Sequence, residues 1–440
     1  MAKQELTLSL HKSIGEVAAA DWDLCAGAGN PFVRHGFLAC VEESGSANAR
    51  TGWLPQHAVL RDGAGRVMAC APMYAKSHSY GEYVFDHGWA HALERAGGQY
   101  YPKLQVAVPF SPVPGPRLLV RPDGAVPVEV LAGALEQACG ELGTSGVHAT
   151  FCTQAEWSAL GAAGWLQRLG MQFHWHNAGY GCFDDFLAAL SSRKRKTIRR
   201  ERRDANAAGL EFVTLRGPEI TKHDWAAFYG FYTSTVDRKW GSAYLTERFF
   251  PLLGERLGAD VVLMMARAGG EWVAGALNLA GSDALYGRNW GCRGDWPFLH
   301  FELCYYRAID FAIEHGLVAS RPGHKASTRS SAATCPARPT RRIGSPTRDC
   351  AVRWRISWWR NARRSRRKWQ PCKPAAKPPV CCPNGPCTTP LPTKPTCRSS
   401  ALGRAACWRC GTVCRATRHW PKGKTNPWWR NLQQTKPWPA

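Results

Sequence analysis

Three stretches of the chain gather side chains able to move a proton or hold an anion. From Tyr74 the sequence runs YAKSHSYGEYVFDHGWAHA, which sets Lys76, Ser77, His78 and Glu82 among aromatic residues. From Leu285 it runs LYGRNWGCRGDWPFLHFE, with Tyr286, Arg288 and Trp290 at every second position, followed by Arg293-Gly294, His300 and Glu302. From Arg193 it runs RKRKTIRRERR. A base within reach of an attacking group, together with donors for charge developing on oxygen, is the equipment of general acid–base chemistry at a carbonyl or similar centre. Glu302, His300 and Glu82 are the candidate bases, and each has a structural alternative as an ordinary ion-paired or packed side chain. Tyr286, Arg288 and Trp290 read as one face of an extended strand and hence one wall of a cleft. Buried Tyr and Trp with satisfied polar tips are the alternative. Lys239 and Trp240, at the end of a helix, and Lys76 and His78 complete the candidate substrate contacts. Arg195 and Arg199 share one face of the basic stretch and can meet the phosphates of a cofactor or nucleic acid. A charge run of this kind also describes a solvated helix face. Arg293 and Gly294, just before a helix start, are a weaker candidate cradle for a cofactor's anionic group.

The elements that must position these groups follow from periodicity. Trp272–Leu279 and Leu285–Trp290 flank the turn cluster Gly281-Ser282-Asp283 and read as a hairpin. Asp295 caps a helix in which Leu299, Leu303, Tyr306, Ile309 and Ile313 recur at helical spacing until Gly316. Earlier, Leu6, Leu8 and Leu10 alternate as a strand, and Asn30-Pro31 opens a helix running to Glu43. His57–Arg61 and Arg66–Tyr74 flank Asp62-Gly63-Ala64-Gly65 as a second hairpin. Helices over 126–142 and 154–163 alternate with strands over 118–120, 147–152 and 173–180. The second half begins with a long helix over 184–208 and a strand at 210–215. Helices over 224–236 and 246–257 and a strand at 261–268 follow. Strand and helix alternate throughout, which predicts an α/β protein.

Charge divides the chain unevenly. Residues 318–440 hold 27 Lys and Arg against one acid, Asp349, while residues 1–317 hold 30 basic and 32 acidic side chains. The basic tail has no Glu, Phe, Tyr or Met yet 10 of the 18 Cys and 9 of the 20 Trp, with frequent prolines and no apolar period. That composition predicts disorder rather than a core. Cys407-x-x-Cys410-x-x-x-Cys414 has a spacing used by zinc sites, but cysteines of chance origin explain it better and no metal is expected. No apolar run reaches the ~18–20 residues of a membrane span, and the amino terminus lacks the apolar core of a signal peptide. A cytoplasmic protein is expected, with the eight Cys of 1–317 reduced.

Several stretches together resemble the FemAB-like family, peptidoglycan biosynthesis or recognition proteins within the GNAT acyltransferase superfamily. They include NPFVRHGFLACVEESGS, YAKSHSYGEYVFDHGWA, YYPKLQVAVPFSPVPGPRLL, FDDFLAALSSRKRKTIRRER and LYGRNWGC with FLHFELCYYRAIDFAIEHGL. The likeness runs from about residue 7 to residue 317. It implies two GNAT-like domains of mixed sheets flanked by helices, over 1–180 and 181–317, with a disordered basic tail over 318–440. It also implies transfer of an acyl or aminoacyl group to an amine of a cell-wall precursor or related metabolite. The superfamily's usual pyrophosphate loop does not follow a strand here, which favours a non-CoA donor such as aminoacyl-tRNA or a degenerate cofactor site. Two other functions remain open: non-catalytic recognition of cell-wall precursors, and RNA binding driven by the tail and the basic helix.

The likeness stops abruptly after HGL. Where a returning strand reading VEAGAQGEHK is expected, the chain reads VASRPGHKAST from Val318. Dropping one base from a plausible codon choice for the expected motif reproduces Ser320 to Thr328, so the tail reads as a frameshift product. Proline at 322 and the lack of alternation predict that Ala319–Pro322 does not replace the lost strand.

Overall fold

The computed structural model describes residues 5–84, 86–124, 126–170, 172–237 and 242–321, and the backbone of Ser331–Pro336. The predicted tail disorder, the frameshift and the cysteine motif at 407–414 fall on positions outside this set, apart from the segments at 318–321 and 331–336.

The first half begins with β1 (Leu6–His11), α1 (Ala19–Ala26) and α2 (His35–Glu43). Asn30 accepts from the Phe32 amide at the start of a short 3-10 turn, so the Asn-Pro signal opens that turn and α2 follows it. The long second arm expected for the hairpin is broken. β2 (Trp53–Pro55) and β3 (His57–Asp62) are separated by Gln56, and β4 (Val67–Ala71) and β5 (Met73–Lys76) by Pro72. Proline cannot donate to a ladder. Its carbonyl instead accepts from Ala107, and Gln56 donates to Met73, so the ribbon passes from one sheet into another. Then come α3 (His87–Arg95), β6 (Lys103–Val106), β7 (Leu119–Val120), α4 (Val128–Glu141) and β8 (Gly146–Cys152). α5 (Gln154–Ala162) starts with a capping box between Thr153 and Glu156, and β9 (Leu166–Leu169) follows.

The strand expected over 173–180 shrinks to β10 (Trp175–His176), because Asn177 turns the chain by accepting from the Gly179 and Tyr180 amides. The long basic helix is two helices, α6 (Phe183–Ala188) and α7 (Ser192–Asn206). β11 (Glu211–Arg216), α8 (Lys222–Asp237), α9 (Phe249–Leu257) and β12 (Val261–Ala268) lead to the predicted hairpin, β13 (Glu271–Ala280) and β14 (Ala284–Cys292). The closing helix is continuous but irregular. α10 (Leu299–Phe301) passes through a π-helical turn, Glu302–Tyr306, into α11 (Arg307–Glu314).

After α11 the structure departs from expectation. Ala319–Arg321 forms β15, parallel to the start of β14 and antiparallel to β10. Pro322 therefore falls just after the three residues that pair. Ser331–Pro336 forms β16, which inserts between β8 and β9 in the first half. The sheets run β1-β3-β4-β7, β2-β5-β6-β8-β16-β9 and β10-β15-β14-β13-β12-β11. β6–β8 and β14–β15 are parallel pairs and the other pairs are antiparallel. The fold is thus α/β, with mixed sheets flanked by helices in each half. One apolar core joins Trp22, Phe32, Phe37 and Phe110 of the first half to Phe228, Phe249, Leu263 and Leu277 of the second. α4 covers the far face of the first half's sheets, and α10 and α11 the far face of the last.

Candidate active site

Burial on the second sheet alternates in an unusual way. Ala75, Leu104, Val106, Val147 and Ala149 point into the core under α4. The opposite face carries Tyr74 and Lys76 of β5, Lys103 and Gln105 of β6, and His148 and Thr150 of β8, every one of them buried. The register pairs Lys76 with Lys103, Tyr74 with Gln105, and Gln105 with His148, so these groups lie side by side. A sheet face that is both buried and polar must be satisfied by other groups.

Those groups come from the loop between β5 and α3. Lys103 Nζ donates to Glu82 at 2.8 Å and to Asp86 at 2.6 Å, and all three side chains are essentially inaccessible. Asp86 also accepts from Tyr100 at 2.9 Å and pairs closely with Arg168, with His148 at 3.8 Å. Burial alone would raise its pKa, but Lys103, His148 and Arg168 hold the carboxyl well below its usual range. Burial raises that of Glu82, against the pull of Lys103 and Lys76.

Lys76 stands apart from this network. Its Nζ lies 3.7 Å from the centre of the Trp53 ring and donates to the Tyr80 carbonyl at 3.3 Å. That carbonyl also accepts from Trp53 Nε1 at 3.2 Å. Beside it His78 accepts from the Tyr80 amide, and burial, helped by Lys76, pushes its pKa down to about 4. Gly81 has φ of +78°, and a Cβ there would come within 2.6 Å of the Phe110 ring, so only glycine lets the loop lie this close.

Phe110 connects this loop to β14. Its ring packs 5.3 Å from Trp53 and stacks on Tyr244 at 5.2 Å, and its carbonyl accepts from Arg288. Tyr83 and Phe110 both hold φ of +56°, a conformation that costs side-chain-bearing residues of order 1 kcal/mol or more. Tyr83 and Tyr232 both attract the Arg288 guanidinium, although burial dominates and lowers its pKa. Tyr232 accepts from the Tyr244 and Leu245 amides, and burial pushes its pKa up to about 12, so it stays a phenol. The result is an aromatic cluster with Trp53 and Phe110 buried at its centre, Tyr80 and Tyr244 on its exposed side and Arg288 half-buried against it. A cavity of about 10 Å³ lies beneath Arg288, bounded by Pro109, Leu245, Leu277 and Asn289.

Arg288 reaches this position through a β-bulge. Leu277 pairs with Asn289 and Asn278 with Gly287, leaving Arg288 as the extra residue on β14. The bulge also corrects the alternation read from sequence. Tyr286 faces the core shared by the two halves, against Phe32, while Trp290 is turned to the opposite face, against His300 at 5.1 Å. Tyr286 and Arg288 therefore both lie against Phe32, and Trp290 does not join them.

Glu302 is fully buried in the π-helical turn and is held by arginines. Arg202 contacts both its oxygens, at 3.1 and 3.2 Å, and Arg307 lies 3.2 Å away. Arg202 also pairs with Asp310 at 2.6 Å. Among the proposed phosphate contacts, Arg195 donates to the Ala188 carbonyl and Arg199 pairs with Asp184. Arg293 lies over Phe231, and its amide already donates to Val273. Gly294 follows it in an exposed turn with φ of +82°. Lys239 and Trp240 lie outside the described residues. Sequence reading missed Lys103, Asp86 and Arg117. The buried Arg117 binds the Thr150, Val113 and Pro116 carbonyls and so anchors the proline-rich loop that presents Phe110. The strict alternation of polar and apolar residues in KLQV and GVHATFC was the available signal.

A model of the FemAB-like family, peptidoglycan biosynthesis/recognition, matches residues 13–333. The chain belongs to the FemAB-like family. No curated protein matches it. Among solved structures, this FemAB-like chain is similar to the C-terminal domain of a putative lysylphosphatidylglycerol synthetase from Agrobacterium fabrum. The identity is 10%, over 76% of this chain and 94% of that one, with a TM-score of 0.46. FemX is similar at 12% identity, over 75% of this chain and 96% of that one, with a TM-score of 0.45. A tandem GNAT protein from the clavulanic acid biosynthesis pathway is similar at 12%, over 77% and 100%, with a TM-score of 0.41. No helix among the described residues is long and apolar enough to cross a membrane.

Proposed function

We propose that the protein is an N-acyltransferase or aminoacyltransferase acting on an amino group of a cell-wall precursor or related metabolite. The observation that carries this reading is Arg288 on the β14 bulge, half-buried beside the aromatic cluster of Trp53, Phe110 and Tyr244 and lining a small cavity with Pro109, Leu245 and Asn289. A guanidinium in that setting, bonded to the Phe110 carbonyl and to Tyr83, keeps further N–H donors for a carboxylate or phosphate of the substrate. The aromatic cluster excludes water from one side of Arg288, and Tyr83 and Tyr232 supply hydroxyls near the same place. Acyl-CoA or aminoacyl-tRNA is the donor in this reading. Membership of a family described as peptidoglycan biosynthesis/recognition supports the cell-wall substrate class.

The test is transfer from acetyl-CoA and from an aminoacyl-tRNA to a peptidoglycan stem peptide with a free side-chain amine. Arg288→Ala should lower kcat/KM by about 10²-fold or more, and Arg288→Lys should recover little of it, because lysine lacks the planar fork. Tight, saturable binding of the stem peptide with no transfer from either donor would favour the recognition role instead.

A further inference from the structure

Arg288 belongs to the second half, but the groups that hold its guanidinium come from the first. The second half surrounds it with apolar side chains such as Leu245 and Leu277, which line the small cavity beneath it. The Phe110 carbonyl and the Tyr83 hydroxyl accept hydrogen bonds from it, and its guanidinium carbon lies 5.8 Å from the centre of the Phe32 ring. Tyr232 of α8 is also near, but its oxygen already accepts from the Tyr244 and Leu245 amides at 3.0 and 3.2 Å, which occupies both lone pairs. Both acceptors are fastened within the first half. Among the described residues four that carry side chains hold positive φ, Tyr83, Phe110, Phe151 and Phe298. Two of these touch Arg288, and a third, Phe151, accepts through its carbonyl from Gly115 at 2.9 Å in the loop that presents Phe110. Backbone in this region persists only where its surroundings over-determine it, and such residues collect at binding and catalytic sites. The surroundings do so here. Glu82, next to Tyr83, is fixed by Lys103 at 2.8 Å, the Tyr80 carbonyl by Trp53 Nε1 at 3.2 Å, and Ser79 by Tyr101 at 2.8 Å. Arg117 fastens the Phe110 loop through the Thr150, Val113 and Pro116 carbonyls.

We propose that Tyr83 is a positioning residue: its hydroxyl reaches from the first half to fix the Arg288 guanidinium, so that the remaining N–H groups are presented to the anionic group of the substrate. The assignment rests on the transferase reading above. An arginine side chain has several rotatable bonds and, unheld, spreads over many rotamers. One acceptor, the Phe110 carbonyl, leaves the guanidinium free to turn about that single contact. A second acceptor fixes its plane. The fixed plane decides which N–H pair is open for bidentate contact with a carboxylate or phosphate. Misplacing such a donor by about 1 Å can cost about 10²-fold in rate, which gives the strained loop a function. The site is thereby shared: the second half supplies the charge and the first half its direction. Lys103, which holds Glu82 and Asp86, acts one step further back by fixing the backbone on either side of Tyr83.

The first measurement needs no substrate. In 15N-labelled protein the Arg288 side-chain signals, identified by their loss in Arg288→Lys, should show separate Nη protons, as a guanidinium held by two acceptors does. Tyr83→Phe should merge them into one averaged signal while the melting temperature stays within a few degrees of wild type. The second measurement is affinity for the amine-bearing stem peptide by calorimetry, with transfer from acetyl-CoA or an aminoacyl-tRNA beside it. Tyr83→Phe should weaken binding and lower kcat/KM by about tenfold. That loss should vanish when the same change is made in Arg288→Ala, because the two residues act as one unit. Tyr83→Phe equal to wild type in binding and transfer overturns the proposal and leaves the transferase reading intact. A loss that persists undiminished in the Arg288→Ala background overturns it too, since Tyr83 would then act without Arg288. An averaged Arg288 signal in the wild-type protein overturns it even if the variants fail to fold. Wild-type protein that neither binds the peptide nor transfers to it removes the transferase reading and the positioning role together.

Discussion

The two halves of the molecule each bury an ionic cluster, and the clusters have opposite polarity. In the first half a cation, Lys103, is inaccessible and is shared by two carboxylates that are themselves buried. In the second a carboxylate, Glu302, is inaccessible and is shared by Arg202 and Arg307, whose side chains remain 23% and 28% exposed. The first cluster pins the loop that carries Tyr83 to Arg288. The second pins α7 to the closing helix, where the π-helical turn sets Glu302 inward. Glu82 and Glu302 look alike in sequence, as acids among aromatic residues, yet one ties a loop to a buried sheet face and the other ties helices together. The difference teaches that a buried carboxylate is read by what shares it: Glu82 keeps one oxygen without a protein partner, whereas both oxygens of Glu302 are taken.

The comparison can be broken most directly at Lys103. Lys103→Met strands Glu82 and leaves Asp86 with Arg168 and Tyr100, which should cost about 3–5 kcal/mol in denaturant unfolding. The triple change with Glu82→Gln and Asp86→Asn should recover most of that loss. If Lys103→Met proves no less stable than a change at Glu302, the distinction between the clusters is wrong.

Glu302→Gln should be milder, about 1–2 kcal/mol, because Arg202 retains Asp310 and both arginines reach water. It should leave transfer within about threefold of wild type, since Glu302 lies across the sheet from Arg288. A loss as deep as that of Arg288→Ala would return Glu302 to the candidate bases.

The smallest expected effect is on pH dependence. The His78 imidazole is lowered from 6.5 to about 4 by burial, so between these values the unfolded chain binds the proton and the folded chain does not. Stability should therefore fall as pH drops through that window and level off below it. His174, also lowered to about 4 by burial, adds a second such contribution. Asp86 acts at lower pH: its stabilisation is present above the ordinary carboxylate value and is lost only as pH falls through its depressed one. His78→Asn should flatten the slope of unfolding free energy between pH 6.5 and 4 by up to one proton while leaving the steeper acid limb. An unchanged slope would show that His78 is protonated in the folded protein.

Much of this molecule was legible in its sequence because the governing interactions are local. The β13–β14 hairpin followed from alternation around Gly281-Ser282-Asp283, and the helix expected over 154–163 is α5, whose Thr153 and Glu156 cap each other within one turn. The change in charge near residue 318 needs only counting. What tertiary structure decided depends on partners distant in the chain. Arg288 and Trp290 part company because β13 forces a bulge on β14, and a bulge belongs to the pair of strands. Lys103 is buried because the loop over 77–86 closes on it, and β15 pairs because β14 and β10 offer it ladder positions that its own sequence does not demand. Alternation marks which side of a strand a residue takes; only the packed neighbours determine whether that side is water, core or cleft.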